Sequence, residues 1–274
     1  MHLKGKLWLL LTTALLAGPA FAADDHAAPA AGDGPACEGF GPQTPRDIDS
    51  KKGENQQRFS TAPAYQEMNL CNIHFHVSAE HKAKDFAIEA HDDGHGHGGG
   101  YQCNISKKLS KAELAPTAGE ICKGLKPGDT IEVHWVHSSC QVTPGKGLES
   151  CLSAKCGNPG LRVETQVFTL VNDPKALNFN DFGYAGNVVK GKHQAKAIPG
   201  NTGKPVQFLG STTGPKYTES SCSPLQVTWN VRPQCAKLDI NSLGEWCKSN
   251  EFAEDHAHGV RKLVTNPKLL SVIK

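Results

Sequence analysis

The chain has 274 residues, of which 38% are hydrophobic and 20% charged, and its formal net charge is +2. This is a globular composition with room for one large domain or two small ones. The near balance of charges gives no support for nucleic acid or an anionic membrane as a partner.

Residues 1–22 have the pattern of a secretion signal that is removed. Lys4 and Lys6 precede the apolar run LWLLLTTALLA at 7–17, and AFA at 20–22 fits a cleavage site after Ala22. The run is too short to cross a bilayer, and no second run of about 18 apolar residues follows. We therefore expect a soluble mature protein, periplasmic or secreted, with no membrane partner.

All ten cysteines lie beyond this signal. An even number of cysteines in an exported chain favours disulfides, up to five here, although the sequence leaves their pairing open. A zinc site built from cysteines would need two close pairs, and Cys151 with Cys156 supplies one. The cysteines are therefore interpreted as structural.

Strands dominate the predicted elements. Residues 23–36 form a low-complexity Ala/Pro/Gly linker, predicted to be disordered, before a folded domain at 37–274. Predicted strands lie at 71–77, 131–137, 161–173, 206–215 and 225–233, a Gly/His loop at 89–103, and a short helix at 239–250. The expected fold is mainly β: a single domain with a central twisted, mostly antiparallel sheet, long loops and a few short helices.

The strand at 71–77 places two imidazoles on one face. Because side chains alternate along a strand, Asn72, His74 and His76 share one side, and Cys71 falls on the opposite, apolar side. The Cα atoms of the two histidines are then about 6–7 Å apart, which suits two ligands of one metal ion.

The strand at 131–137 offers a third imidazole. Glu132, His134 and Val136 share one face, whereas His137 falls on the back as a packed or hydrogen-bonded side chain. Three His ligands with an open fourth position are the geometry of a catalytic zinc site. Asn72 and Glu132 are available to accept the N–H that a metal-bound imidazole leaves on its far side.

The other histidines of polar segments are expected to be solvated, although they could bind adventitious metal or carry protons. They are His91, His95 and His97 in the Gly/His loop, and His256 and His258 in EDHAHG.

Four segments in this order resemble the signature of the carbonic anhydrases. They are QTPRDID (43–49), NIHFHVSAEH (72–81), EVHWVH (132–137), and GSTTGP (210–215) followed by VTWNV (227–231). The α class has this order, but CNIHFHVSAEHK, VHWVHSSC, GSTTGPKYTE and EDHAHGVRKLVTNP look closer to the δ class. The resemblance covers roughly residues 37–274 and implies an α-carbonic-anhydrase-like fold.

The resemblance also implies an activity. Zinc-bound hydroxide, held by three histidines, would reversibly hydrate carbon dioxide to bicarbonate and a proton, so that CO2 and bicarbonate are the small-molecule partners. His74, His76 and His134 match the zinc ligands, and Asn72 and Glu132 match their outer partners. Cobalt is a possible substitute for zinc, since both metals suit imidazole ligands.

The remaining site residues match by position. Thr212 resembles the threonine that accepts a hydrogen bond from the hydroxide, Thr213 resembles its neighbour, and Glu80 resembles the glutamate that holds the threonine's proton. Val136 and Trp229 resemble the apolar wall where CO2 sits.

Two departures from the α class affect these roles. Only VSA separates His76 from Glu80, so we expect a tight turn at Ser78–Ala79 that takes Glu80 off the histidine face. No histidine occurs between Ile48 and Cys71, where the α class keeps its proton shuttle. Another group must then release the proton, and a loop histidine such as His95 is a candidate.

Two alternatives stay open at this point. HFHVSAE fits the first cupin motif, H-x-H-x3-E, although KPGDTIEVHWVHSS is a poor second motif. An exported zinc carrier would instead collect metal through HDDGHGHGGG (91–100) and would not need Thr212 or Glu80.

Overall fold

The computed structural model describes residues 37, 40–44, 46–91, 99–119, 121–214, 217, 221–260 and 266–273. The predicted signal and linker (1–36) and the loop histidines His95 and His97 lie outside these residues. The described residues belong to one compact unit. None of the helices among them is long and apolar enough to cross a membrane.

Strands are the main elements. They are β1 (Asn69–Val77), β2 (Ile88–Glu89), β3 (Tyr101–Gln102), β4 (Thr130–Ser138), β5 (Leu161–Val171), β6 (Val188–Val189), β7 (Lys192–His193), β8 (Val206–Ser211), β9 (Gln226–Val231), β10 (Ala236–Asp239) and β11 (His258–Gly259). The α-helix is α1 (Ile240–Lys248), and 3-10 helices lie at Tyr65–Glu67, Asn104–Lys108, Leu148–Cys151, Phe179–Asp181 and Pro267–Leu269. The five predicted strands and the predicted helix are confirmed, whereas β10 and β11 are too short to show an alternating pattern.

One central sheet has the strand order β11-β1-β4-β5-β9-β8, with β10 beside β5. The pairs β1–β4, β4–β5 and β8–β9 are antiparallel, and the pairs β1–β11, β5–β10 and β5–β9 are parallel. The sheet is therefore mixed, although its longest ladders are antiparallel, as the sequence predicts. Parallel partners need long connections, and the segment between β5 and its parallel partner β9, which contains β6, β7 and β8, provides one.

Apolar side chains cover both faces of the sheet. On one face, Ile131, Val133 and Trp135 of β4 pack in a cluster with Leu243 and Trp246 of α1. The other face carries a second apolar cluster, which includes residues of β4, β5, β8 and β9. The strands therefore pack against apolar clusters on both faces of the sheet, and this packing holds the backbone that carries the polar side chains of β1 and β4.

His137 lies on the α1 side of β4, as expected for a structural histidine. It is fully buried, and its Nδ1–H donates to the carbonyl oxygen of Trp135 at 3.1 Å. Burial lowers the pKa of His137 to about 3, so the ring is neutral near pH 7.

All ten cysteines are paired. The disulfides are Cys37–Cys222, Cys71–Cys151, Cys103–Cys235, Cys122–Cys247 and Cys140–Cys156. The predicted disulfide framework is confirmed, and it is typical of a protein from an oxidising compartment.

Candidate metal centre

The register of β1 and β4 brings three imidazoles together. His74 lies directly opposite His134 in the antiparallel ladder, and His76 follows two residues later on the same face of β1. The ring centroids are 5.2 Å apart for His74 and His76, and 5.0 Å apart for His134 and either of them. The three predicted ligands therefore meet at one point.

Hydrogen bonds decide which nitrogen of His74 and of His134 keeps its lone pair. His74 Nδ1 is 2.6 Å from the amide oxygen of Asn72, and His134 Nε2 is 2.7 Å from a carboxylate oxygen of Glu132. Both partners are acceptors, so these ring nitrogens carry the protons. Nε2 of His74 and Nδ1 of His134 are then free to bind a metal, as the sequence predicts for histidines with Asn72 and Glu132 as outer partners.

His76 follows the same rule with a backbone partner. Its Nδ1–H donates to the carbonyl oxygen of Gly259 in β11 at 3.3 Å. Its Nε2 is buried without a hydrogen-bond partner among the described residues. A buried lone pair with no donor costs free energy unless a cation or a donor fills the space in front of it.

The spacing of the free nitrogens suits a tetrahedral ion. Nε2 of His74 and Nδ1 of His134 are 3.2 Å apart, and one nitrogen from each of the three rings lies within 4.8 Å of one nitrogen of the other two. A zinc ion at roughly 2.0–2.1 Å from each ligand would place two nitrogens about 3.3–3.4 Å apart. Without a cation, two lone pairs at this distance repel each other, so the residues fit a divalent metal.

Burial keeps the imidazole rings of His74 and His76 neutral, which is the form of imidazole that can bind a metal ion. It lowers the pKa of His74 and of His76 well below the usual value, and the neighbouring His134 lowers both further. The imidazoles are therefore neutral at pH 7, and a metal ion would not have to displace their protons.

Glu132 joins His134 to a histidine to which the sequence analysis gave no role. The same oxygen that accepts from His134 also accepts from Nδ1 of His81 at 2.6 Å, and the other oxygen accepts from the His81 backbone N–H at 3.0 Å. Burial raises the pKa of Glu132, but the charge and hydrogen bonds of the two histidines lower it well below its usual range. The ionised carboxylate thus fixes the orientation of His134. The one sequence signal for His81 was its position directly after Glu80.

An apolar wall continues the histidine face across β4, β5 and β9. Val136 lies opposite Val163, which in turn lies beside Trp229. The Trp229 ring is 5.1 Å from that of His134 and 4.9 Å from that of His81. Val136 and Trp229, predicted as pocket residues, are therefore brought next to the histidines.

Thr212 and Thr213 directly follow β8. Thr212 is buried, and its hydroxyl oxygen is 2.7 Å from the hydroxyl oxygen of Ser223. Thr213 is half-buried. Trp229 Nε1 donates to the carbonyl oxygen of Ser211 at 3.2 Å, so the end of β8 is tied to the apolar wall.

The expected turn at Ser78 takes Glu80 out of the strand alternation that would place it on the face of His76. Ser78 has φ +67°, in the left-handed region, which ends the alternation of β1. Glu80 is fully buried, and its Oε1 is 3.5 Å from Nδ1 of His76. A cupin would need this carboxylate beside the Nε2 atom of His76, which is the ring nitrogen left without a partner among the described residues, so the arrangement does not favour the cupin alternative.

His258 corrects one expectation. It was expected to be solvated, but β11 pairs with β1 and places His258 opposite His76. The His258 ring is half-buried and lies 5.9 Å from the rings of His74 and His76. His256 is exposed, as expected. The position of His258 could not be predicted from the sequence, because β11 has two residues and pairs with a strand about 180 positions away.

The chain was compared with family models, solved structures and curated proteins, and the first of these gives the family. A family model described as delta carbonic anhydrase matches residues 65–242. A solved α-carbonic anhydrase from Photobacterium profundum has 17% sequence identity with this chain, covering 83% of this chain and 88% of its own, with a TM-score of 0.27. No curated protein matches the chain.

Proposed function

Because the chain belongs to the delta carbonic anhydrase family, we propose that it reversibly hydrates CO2 to bicarbonate, with zinc held by His74, His76 and His134. One observation carries this proposal: three imidazoles converge, and each has its far nitrogen bonded to an acceptor. The five disulfides support an exported location.

The ligand set and its outer partners have separate tasks. Zinc, when bound, would lower the pKa of a water molecule to about 7 and so supply a nucleophile at neutral pH. Asn72 and Glu132 hold protons on the far nitrogens of His74 and His134, which keeps the near nitrogens available. Imidazole ligands, unlike carboxylate or thiolate ligands, add no negative charge at the metal.

The apolar wall would bind the substrate. CO2 carries no net charge, and the side chains of Val136, Val163 and Trp229 offer it a dry surface beside the histidines. Thr212 would orient the attacking oxygen, with Thr213 beside it. A threonine hydroxyl can accept a hydrogen bond from that oxygen when its own proton is donated elsewhere. Ser223 is an acceptor within reach of this proton, and Glu80 is the acceptor that the family resemblance implies.

Metal removal tests the whole proposal. We expect the purified protein to contain one tightly bound zinc per chain and to hydrate CO2 in a stopped-flow assay. Dialysis against a chelator should abolish the activity, and zinc or cobalt should restore it. Full activity in metal-free protein would contradict the mechanism, and several weakly bound ions per chain would favour the carrier alternative. Deletion of residues 91–100 is the matched variant, because a carrier would lose its metal and the enzyme would keep it.

Thr212→Ala should slow the reaction without loss of metal. We expect kcat/KM to fall by about 10²-fold, the size of the effect when one oriented hydrogen-bonding group is lost from an active site. Zinc content should be unchanged, since Thr212 is not a ligand. Thr228→Ala is the control: its hydroxyl accepts from Ala62 N–H at 2.9 Å, so stability should fall while the rate stays the same. An unchanged rate in Thr212→Ala would reject the proposed role.

A further inference from the structure

Strand β1 contains a bulge directly before the metal-binding histidines. Leu70 lies opposite His137 and Asn72 lies opposite Val136, so Cys71 has no partner in the ladder. Simple alternation places Cys71 on the side of Ile73, but Cys71 packs in the cluster of the opposite face, with Val136. The bulge also leaves the carbonyl oxygen of Cys71 free to bind outside the ladder.

The loop after β4 binds this bulge, and we call residues 139–151 the clamp loop. Its Gly145 N–H donates to the carbonyl oxygen of Cys71 at 3.0 Å, and the Ser150 hydroxyl lies 2.8 Å from the same oxygen. A disulfide joins Cys151, the end of the loop, to Cys71 itself. The Ser150 hydroxyl also lies 2.7 Å from the carbonyl oxygen of Gly147 in the same loop, so its one proton is shared between two acceptors. One backbone hydrogen bond, one shared hydroxyl and one covalent bond therefore hold the clamp loop on a single residue of β1.

The clamp loop determines which way the Asn72 amide points. The Nδ2 group of Asn72 donates to the Gly145 carbonyl oxygen at 3.0 Å, while the Oδ1 atom accepts from His74 Nδ1–H at 2.6 Å. A flipped amide would set its oxygen against the Gly145 carbonyl and its NH2 against the ring nitrogen of His74. The neutral ring would then be favoured in its other tautomer, with the proton on Nε2, where the metal should bind.

We propose that the Cys71–Cys151 disulfide, through the clamp loop and Asn72, keeps His74 in its metal-binding tautomer. The disulfide is thereby a positioning element of the metal centre, and its reduction lowers metal affinity. This inference rests on the proposed function, because it assumes that His74 is a zinc ligand.

The test compares the removal of two disulfides in the full chain. Zinc affinity is measured by competition with a chromophoric chelator for wild type, for Cys71→Ser with Cys151→Ser, and for Cys122→Ser with Cys247→Ser. The control disulfide closes a loop of similar length, with a separation of 125 residues against 80, and joins α1 to the other apolar cluster. Both variants should therefore lose similar stability. We expect the dissociation constant for zinc to rise about 10-fold or more in the first variant, and by less than about 2-fold in the control.

The same disulfide is also removed from an Asn72→Asp protein. This comparison shows whether the disulfide acts on zinc affinity through the Asn72 amide or by ordering the whole site. An aspartate in Asn72→Asp accepts from His74 through either oxygen, so the tautomer no longer depends on a flip. Removal of the Cys71–Cys151 disulfide should then weaken zinc binding much less than it does in the protein that retains Asn72. An equal loss in both backgrounds would overturn the proposal, and so would equal zinc affinities in the two disulfide variants.

Ser150→Ala tests the clamp loop if the variant with Cys71→Ser and Cys151→Ser does not fold. Ser150→Ala keeps the disulfide and removes one bond to the Cys71 carbonyl, and we expect a rise of a few-fold in the dissociation constant. No change in a folded Ser150→Ala protein would count against the clamp loop. Wild-type protein that binds no zinc would overturn the proposed function and this inference together, whereas tight zinc in wild type and in all variants would overturn the inference alone.

Discussion

His134→Ala is expected to abolish both tight zinc binding and CO2 hydration. His134 is the one proposed ligand on β4, and its removal leaves two imidazoles from a single strand. It also leaves the buried Glu132 carboxylate without one of its two imidazole partners. Loss of an outer partner alone costs about 10–100-fold in metal affinity, so loss of a ligand should cost more. The measurements are zinc content after dialysis and the stopped-flow rate.

The control for this variant is His256→Ala. His256 is exposed and lies outside the three-histidine cluster, so both zinc content and rate should match wild type. A zinc-free His134→Ala protein with wild-type activity would remove the proposed mechanism.

Glu132→Gln should have the second largest effect. The carboxylate accepts three hydrogen bonds, two from ring nitrogens and one from the backbone of His81. An amide has one oxygen and one NH2 group, so in either orientation it sets a donor against a donor. We expect the dissociation constant for zinc to rise about 10–100-fold. We also expect the free energy of unfolding to fall by about 1–3 kcal/mol, because a buried donor loses its acceptor.

Glu164→Gln provides the matched control for Glu132→Gln. Glu164 is also a buried carboxylate with several donors, including Asn230 and Arg232, but it lies opposite Trp135 on the α1 side of the sheet. Its replacement should lower stability and leave zinc affinity unchanged. Equal zinc affinities in the two variants would show that Glu132 does not act on the metal centre.

The histidine face was predictable because it depends on local geometry. Alternation along a strand places His74 with His76, and Glu132 with His134, whatever the rest of the chain does. The same rule placed Val136 beside His134 and His137 on the back. The roles of Thr212 and Glu80 came from the family resemblance, and they remain proposals.

Contacts that depend on distant segments could not be predicted from the residues themselves. The bulge at Cys71 changes the side on which that cysteine packs, and a two-residue strand brings His258 beside His76. His81 reaches Glu132 because the turn at Ser78 redirects the chain. None of these contacts has a periodic signal in the residues involved.

By itself, then, the sequence determined that His74 and His76 share a face, as do Glu132 and His134, and it determined the mainly β class and the presence of a disulfide framework. The tertiary structure decided the register that sets His74 opposite His134, the pairing of the cysteines and the acceptors that select each tautomer. The physical reason is the distance along the chain over which each feature is determined. Alternation follows from backbone geometry over a few residues. Register, bulges and disulfide partners follow from packing between segments tens to hundreds of residues apart.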